Sequence, residues 1–156
     1  MAPSSDFRVG LISDTHGLLR KEAVEALRGC SLILHAGDIG EPAVLDGLVS
    51  LAPVRAVRGN VDHGELGGRL RATEVVELAG QHVYLIHDLG RLDLDPAAAG
   101  LAAVVYGHSH VAAVREEGGV LYVNPGAAGP GRFKLRPSVG RLLVSSGRLR
   151  AEIVEL

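Results

Sequence analysis

The stretch Leu32-Ile33-Leu34-His35-Ala36-Gly37-Asp38 is a short apolar run that ends in a glycine and a carboxylate. Continuous apolar runs of this length are typical of parallel strands buried on both faces, and open α/β sheets bind ligands at the carboxyl ends of such strands. The stretch therefore predicts a buried strand that delivers Asp38 to the ligand-binding edge of a sheet. Asp38 alone decides little, because a carboxylate in this position can also cap a following helix.

Four other apolar runs end in the same way, in a side chain that can bind a metal ion. Residues 9–13 lead to Asp14 and His16, residues 54–58 to Asn60, residues 83–86 to His87, and residues 104–107 to His108 and His110. Because the carboxyl ends of neighbouring parallel strands meet at one edge, we expect these side chains to lie close together.

The composition places the chain among globular proteins. It has 156 residues, 47% of them hydrophobic and 22% charged, which predicts a single domain over residues 1–156 with a loose leader at 1–6. The net charge of -2, without a block of like charges, gives no sign of a nucleic-acid or membrane surface. The single Cys30 excludes an internal disulfide framework. Without a signal-like N-terminus or a membrane-spanning apolar run, a cytoplasmic location is the default expectation.

The first half of the chain reads as βαβαβ. Strands are expected at 7–13, at 32–36 and after Pro53, and they alternate with a helix over 19–27 and a helix that begins at Pro42. Residues 59–70 are glycine-rich and predict a mobile loop at the edge that carries the ligands.

The second half is rich in strands. Three hairpins are predicted, at 73–86, 111–123 and 139–156, with a short helix around 96–99. The expected fold is α/β, with two mixed β-sheets packed face to face and flanked by helices.

The strand ends together supply two carboxylates, one amide oxygen and four imidazoles. That is too many ligands for one metal ion, and it suits two ions about 3.5–4 Å apart, as in sites of phosphoryl displacement. If the chain is extended at Asp14-Thr15-His16, the two outer side chains face the same side. Carboxylate and imidazole ligands suit manganese, iron, zinc or nickel. Taken singly, each histidine is more often a satisfied polar residue than a ligand.

The ordered motifs resemble those of the calcineurin-like metallophosphoesterase superfamily, and the short chain is similar to its small single-domain bacterial and archaeal phosphodiesterases. The motifs are Asp14-x-His16, Gly37-Asp38, Gly59-Asn60-x-Asp62, His87 and Gly107-His108-x-His110. The resemblance implies an α/β sandwich that hydrolyses phosphodiester bonds with two divalent metal ions, for which manganese is the first choice.

The resemblance also implies roles for individual residues. One metal would be held by Asp14, His16 and His110, the other by Asn60, His87 and His108, and Asp38 would bridge them. A hydroxide between the metals would attack phosphorus in line with the leaving alkoxide, with Asn60 also close to the phosphate.

The chain departs from its relatives near the leaving group. Val61 stands where many relatives carry a histidine that helps to protonate the leaving group, and His63 is the candidate replacement, although an exposed loop histidine is its plainer interpretation. Asp88 follows His87 where small relatives usually have glycine; it would either steer an imidazole or simply be solvated, and the second is favoured.

Other side chains receive simpler interpretations. His35 is expected to be buried behind the ligands, His82 to be exposed, and Arg132 to be solvated rather than in contact with a phosphate.

Three functions stay open at this point. Besides a phosphodiesterase, the same metal core would serve a phosphomonoesterase or nucleotide phosphatase acting on small phosphate esters. A non-catalytic protein-binding scaffold is the third, because a retromer coat subunit resembles this family without its full set of metal-site histidines. The oligomeric state is left open: small relatives often self-associate, so a homo-oligomer is one of the alternatives.

Overall fold

A computed structural model describes residues 6–131 and 134–156, so residues 1–5 of the predicted leader at 1–6 lie outside the described range. Two five-stranded sheets make up the structure, with the strand orders β10-β9-β1-β2-β3 and β4-β5-β6-β8-β7. Both sheets are mixed, so the predicted pair of packed mixed sheets is confirmed.

The first sheet contains the parallel strands of the βαβαβ half and the C-terminal hairpin. Its strands are β1 (Phe7–Ile12), β2 (Leu32–His35), β3 (Val54–Ala56), β9 (Ser138–Ser145) and β10 (Arg148–Glu155). Strands β1, β2 and β3 run parallel, while β9 pairs antiparallel with both β1 and β10.

The second sheet joins two hairpins through a parallel centre. Its strands are β4 (Thr73–Leu78), β5 (Gln81–Ile86), β6 (Leu101–Val105), β7 (Ala113–Glu117) and β8 (Val120–Asn124). Strands β5, β6 and β8 are parallel to one another, and β4 and β7 are antiparallel to their neighbours.

Alternation along the strands builds the core. On β1, Val9 and Leu11 face the second sheet, and on β5, Val83 and Leu85 face back toward them. These side chains are all 0% exposed. Burying such residues between two sheets is the main source of stability, at about 1.5–3 kcal/mol for each fully buried side chain.

Helices α1 (Lys21–Leu27) and α2 (Pro42–Val49) cover the outer face of the first sheet. Ala23 and Leu27 of α1 and Leu48 of α2 pack there against Ile33 of β2. The outer face of the second sheet is covered differently, by the segment that contains the 3-10 helix Leu89–Arg91. None of the described helices is long and apolar enough to cross a membrane.

Two local predictions are wrong. Residues 59–70 contain a short helix, α3 (Gly64–Gly68), because Leu66 is 7% exposed and packs with the helices that cover the first sheet. The helix expected around 96–99 is a single turn, in which the Ala99 amide donates to the carbonyl of Asp95 and Gly100 then turns the chain with a φ of 75°.

The loops that follow the strands approach one another closely, and this explains the glycine at position 59. A Cβ atom at Gly59 would overlap the backbone nitrogen and Oδ1 of Asp38, whereas one at Gly68 would meet open space. The absence of a side chain at Gly59 therefore lets the loop after β3 lie against the loop after β2.

We expect Gly59→Ala to lower the free energy of unfolding by about 1–3 kcal/mol, because the added methyl group has no room and the two loops must separate. Urea unfolding of the purified protein measures this. Gly68→Ala is the matched control and should be neutral or slightly stabilising, since alanine is the better helix former. Equal stability of the two variants would contradict the close approach.

Candidate metal centre

The seven side chains singled out in the sequence lie at the edge where the carboxyl ends of the two sheets meet. Backbone hydrogen bonds join their loops: the Asp14 amide donates to the Gly37 carbonyl at 3.0 Å, and the Gly107 amide donates to the His87 carbonyl at 3.0 Å. Across the sheets, the His108 amide donates to Oδ2 of Asp14 at 3.1 Å. Residues far apart in the chain are thereby brought into one cluster.

The backbone at five of these residues adopts the left-handed conformation that side chains disfavour. The only other described residues that share it, apart from glycines, are Ala79 and Ser146 in hairpin turns; the five have φ values of 54° (Asp14), 46° (His16), 58° (Asp38), 73° (His108) and 66° (His110). Such residues cost roughly 1–3 kcal/mol each and cluster at functional sites. The assumption of an extended chain at Asp14-Thr15-His16 is therefore wrong, and the two side chains converge because the backbone turns.

The Asp14 carboxylate is at the centre of the cluster and is 0% exposed. Its Oδ2 accepts hydrogen bonds from the Ser13 hydroxyl at 2.7 Å and from the His108 amide. Its Oδ1 has no hydrogen bond but lies 3.4, 3.8 and 3.9 Å from the Nε2 atoms of His110, His16 and His87. Burial raises the pKa of Asp14, against the effect of the Ser13 hydrogen bond.

The Asp38 carboxylate lies between two imidazoles. Its Oδ2 is 3.6 Å from Nε2 of His16 and 3.2 Å from Nε2 of His87, and its Oδ1 accepts a hydrogen bond from the Val61 amide at 3.1 Å. Burial by itself would raise the pKa of Asp38, but the contact with His87 and the Val61 amide hold it below its usual range. Asp38 is thus an anion within reach of two groups of ligands.

The His87 ring is oriented for metal binding. Its Nδ1 donates to the Ala36 carbonyl at 2.7 Å, which leaves the lone pair of Nε2 directed toward Asp38. A hydrogen bond to the far ring nitrogen is the usual way in which proteins orient a histidine ligand. Burial alone would lower the pKa of His87, but the Asp38 carboxylate and the Ala36 carbonyl raise it.

The buried polar atoms of the cluster fit a divalent cation. Oδ1 of Asp14 and the Nε2 atoms of His16 and His87 are buried without hydrogen-bond partners, an arrangement that is costly unless another ligand satisfies them. Potential ligand atoms lie within 4.8 Å of one another in two groups, Asp14 with His16 and His110, and Asp14 with Asp38 and His87. Carboxylate oxygen and imidazole nitrogen are ligands that first-row transition metals prefer.

Asn60 and His108 lie at the exposed mouth of the cluster. Nδ2 of Asn60 is 3.3 Å from Nδ1 of His108, and the His108 ring stands edge-on to His87 with 5.3 Å between centroids. His108 belongs to neither of the two compact groups, but its ring adjoins His87, and Asn60 adjoins His108 in turn.

His63 lies in the loop that follows Asn60. It is exposed at the position that precedes α3, and within the described chain its side chain forms no hydrogen bond or ion pair with the seven residues. His82 is exposed as predicted, and Arg132 lies outside the described residues.

His35 is fully buried behind the ligand loops, as predicted. Its Nδ1 accepts from the Gly37 amide at 3.1 Å, so its Nε2 donates to the Thr15 hydroxyl at 3.0 Å, and Thr15 donates to the Ile39 carbonyl at 2.9 Å. Burial lowers the pKa of His35 to about 3, which keeps the ring neutral. The ring thus links the loop that carries Asp14 to the loop that carries Asp38.

Asp88 is not simply solvated. Its Oδ1 accepts a hydrogen bond from the Gly90 amide at 2.9 Å and so caps the 3-10 helix. Its Oδ2 is 3.8 Å from Nε of Arg91 and 4.0 Å from Nε2 of His108. The expectation that Asp88 is simply solvated is therefore wrong, because the turn that follows His87 gives its carboxylate hydrogen-bond and ion-pair partners.

Two buried side chains that received no role in the sequence hold the ligand loops together. The Asp62 carboxylate accepts from the amides of Gly59 at 2.8 Å, Ile39 at 2.9 Å and Gly40 at 3.0 Å, so it joins the loops that carry Asn60 and Asp38. Asn124 donates to the Gly107 carbonyl and the Ser109 hydroxyl, both at 3.1 Å. For Asp62, the only sign of this role in the sequence is its position in the Gly59-Asn60-x-Asp62 motif.

Comparison with known proteins agrees with this geometry. Residues 7–147 match the family model described as the calcineurin-like phosphoesterase superfamily domain. A probable metallophosphoesterase of Methanothermobacter thermautotrophicus is 33% identical over 94% of this chain and 91% of its own length. The resemblance seen in the sequence motifs is thereby confirmed.

Solved structures share the fold. A structure described as a novel archaeal phosphodiesterase has a TM-score of 0.81 and 23% identity, and covers 96% of this chain and 99% of its own. Vacuolar protein sorting 29 from Cryptosporidium parvum has a TM-score of 0.78 and 20% identity, and covers 97% and 98%. Together with the family match over most of its length, the site geometry leads to one conclusion: this chain belongs to the calcineurin-like phosphoesterase superfamily.

Proposed function

We propose that the protein is a phosphodiesterase that depends on two divalent metal ions, with manganese as the first choice. The observation that carries the proposal is the convergence of the buried Oδ1 atom of Asp14 with the Nε2 atoms of His16 and His87, none of which has a hydrogen-bond partner. Leaving these atoms without a cation would cost free energy and serve no structural purpose.

In this proposal Asp14, His16 and His110 hold one ion. The second is held by Asn60, His87 and His108. Asp38 would serve as a ligand to both ions, because its Oδ2 atom lies 3.6 Å from Nε2 of His16 and 3.2 Å from Nε2 of His87. When bound, two such ions supply a hydroxide nucleophile for in-line attack and neutralise charge on the phosphoryl oxygens.

The chain's own residues then have separate tasks. Asp14 and Asp38 are held as ligands by Ser13 and by the amides of His108 and Val61. Asn60, exposed at the mouth, is placed to donate its amide to a phosphoryl oxygen of a small phosphate-ester substrate. The ring of His87 is kept in one orientation by the Ala36 carbonyl.

We expect Asp38→Asn to reduce both metal content and the hydrolysis of bis(4-nitrophenyl) phosphate. The loss in rate should exceed about 100-fold, since even replacing groups behind metal ligands costs 10–100-fold. Bound metal per chain, measured by mass spectrometry after loading with manganese, gives a readout independent of activity. His82→Gln is the control. His82 is exposed on β5, the strand that leads to His87, and its replacement should change neither metal content nor hydrolysis rate.

The same measurement separates the scaffold from the enzyme. A wild-type protein that takes up no metal and hydrolyses nothing when manganese is added would contradict the proposed function and favour a protein-binding scaffold. Normal turnover by Asp38→Asn would instead contradict the role of Asp38 as a metal ligand.

We expect the protein to prefer the diester bis(4-nitrophenyl) phosphate over the monoester 4-nitrophenyl phosphate by about tenfold or more in kcat/KM. The monoester carries an additional negative charge, and the two carboxylates among the seven proposed metal ligands oppose that charge. Steady-state rates on both esters measure the preference. A faster monoester would identify a phosphomonoesterase or nucleotide phosphatase.

We further propose that His63 donates the proton to the leaving group, because it is the histidine that follows Asn60 in the sequence and its side chain is exposed. His63→Gln should then slow the hydrolysis of diphenyl phosphate, whose leaving group needs a proton, by about 100-fold. It should change bis(4-nitrophenyl) phosphate hydrolysis less than twofold, because nitrophenolate leaves without one. An equal effect on both esters, or none, would exclude this role.

A further inference from the structure

A cleft of about 350 Å³ opens beside the metal centre. It shares Asn60 and His87 with the centre and extends from them toward the loop after β3, the start of β4 and the 3-10 helix. Its size is in the range of small-molecule sites, about 300–1,000 Å³. A substrate whose phosphate lies at the metal centre would therefore place one of its ester groups in or near this cleft.

The cleft has two cations and two anions on its walls. Arg58, Arg91, Asp88 and Asp93 all line it, so their formal charges sum to zero. Thr73 adds a hydroxyl group at the start of β4. A second anionic group of a substrate would meet two carboxylates here, and a cationic group would meet two guanidinium groups.

Arg58 is held in place while part of its guanidinium group stays available. Its Nη1 donates to the carbonyls of Leu70 at 3.1 Å and Gly67 at 3.3 Å, which fixes the side chain against the end of α3. Its Nε and Nη2 form no hydrogen bond within the described chain. Two donor nitrogens, with three N–H groups between them, are therefore presented by an anchored side chain.

The floor of the cleft is apolar. Tyr84 and Ile86 of β5 line it and are 7% and 6% exposed, as part of the cluster on the outer face of the second sheet. An entirely apolar ester group would contact this floor but would remove water from Asp93 and from Nε and Nη2 of Arg58 without replacing it by hydrogen-bond partners. Hydroxyl groups both donate and accept hydrogen bonds, so they satisfy guanidinium and carboxylate groups alike.

We propose that this cleft binds one ester group of the phosphodiester and that this group is a neutral polyol, such as glycerol or a pentose. The inference rests on the proposed phosphodiesterase function and specifies its substrate class. Thr73 and Asp93 are the specificity-determining residues, because they offer hydroxyl and carboxylate partners without serving as metal ligands.

Two diesters that differ only in hydroxyl groups test the proposal: 4-nitrophenyl 2,3-dihydroxypropyl phosphate and 4-nitrophenyl propyl phosphate. The manganese-loaded protein should hydrolyse the first with a kcat/KM about tenfold higher or more, since sites that bind hydroxyl groups reject analogues that lack them. Phosphorus NMR follows total hydrolysis, whichever ester bond breaks. Equal rates for the two diesters would overturn the proposal.

Two variants locate the effect in the cleft. Thr73→Val and Asp93→Asn should each reduce the preference for the dihydroxypropyl ester over the propyl ester by about threefold or more. Glu116→Gln, an exposed change on β7, should leave the preference intact. A preference that survives in both cleft variants would contradict the assignment.

A binding measurement separates this inference from the function on which it rests. Calorimetry with the manganese-loaded protein should show tighter binding of glycerol 3-phosphate than of propyl phosphate, and Thr73→Val should reduce the difference. If neither diester is hydrolysed but this difference is present, the phosphodiesterase proposal fails and the polyol cleft stands. Equal affinity for the two phosphates overturns the cleft whatever the activity.

Discussion

The burial of the Asp14 carboxylate is the constraint on which the rest of the structure depends. A buried carboxylate is costly unless its oxygens have partners, and only Oδ2 of Asp14 has them, from Ser13 and the His108 amide. Its Oδ1 atom is surrounded instead by imidazole nitrogens at 3.4–3.9 Å. Those nitrogens come from loops of both sheets, so the arrangement exists only where the two carboxyl edges meet. Carboxylate and imidazole groups placed in this way fit divalent cations, in two groups that share Asp14.

Holding the ligands this closely imposes a strained backbone, which the surrounding fold tolerates. Left-handed φ values at Asp14, Asp38 and His108 cost free energy at each residue. The loops are kept in this state by hydrogen bonds between them, above all from three amides to the Asp62 carboxylate. Burial of the apolar core between the two sheets stabilises the fold by more free energy than this local strain costs.

Strands were more predictable from the sequence than short helices. Apolar runs such as the one before Asp38 identify buried strands because every side chain in them meets a core, on one face or the other. In contrast, α3 has only Leu66 and Gly67 buried, and the turn near 96–99 is closed by Asp95 and ended by Gly100. Segments this short carry too few periodic positions to separate a helix from a turn. The roles of Asp62 and Asp88 were missed or misjudged because their partners belong to other loops or to a turn that the sequence did not reveal.

By itself the sequence determined the inventory of the site, because strand ends are local features and their polar residues can be read in order. It also determined that those residues would share one edge, since parallel strands align their carboxyl ends. Only the tertiary structure decided which lone pairs converge and which residues stay at the exposed mouth, such as Asn60 and His108. Those outcomes depend on backbone turns and hydrogen bonds between loops of different strands, and contacts between distant segments leave no periodic signal along the chain.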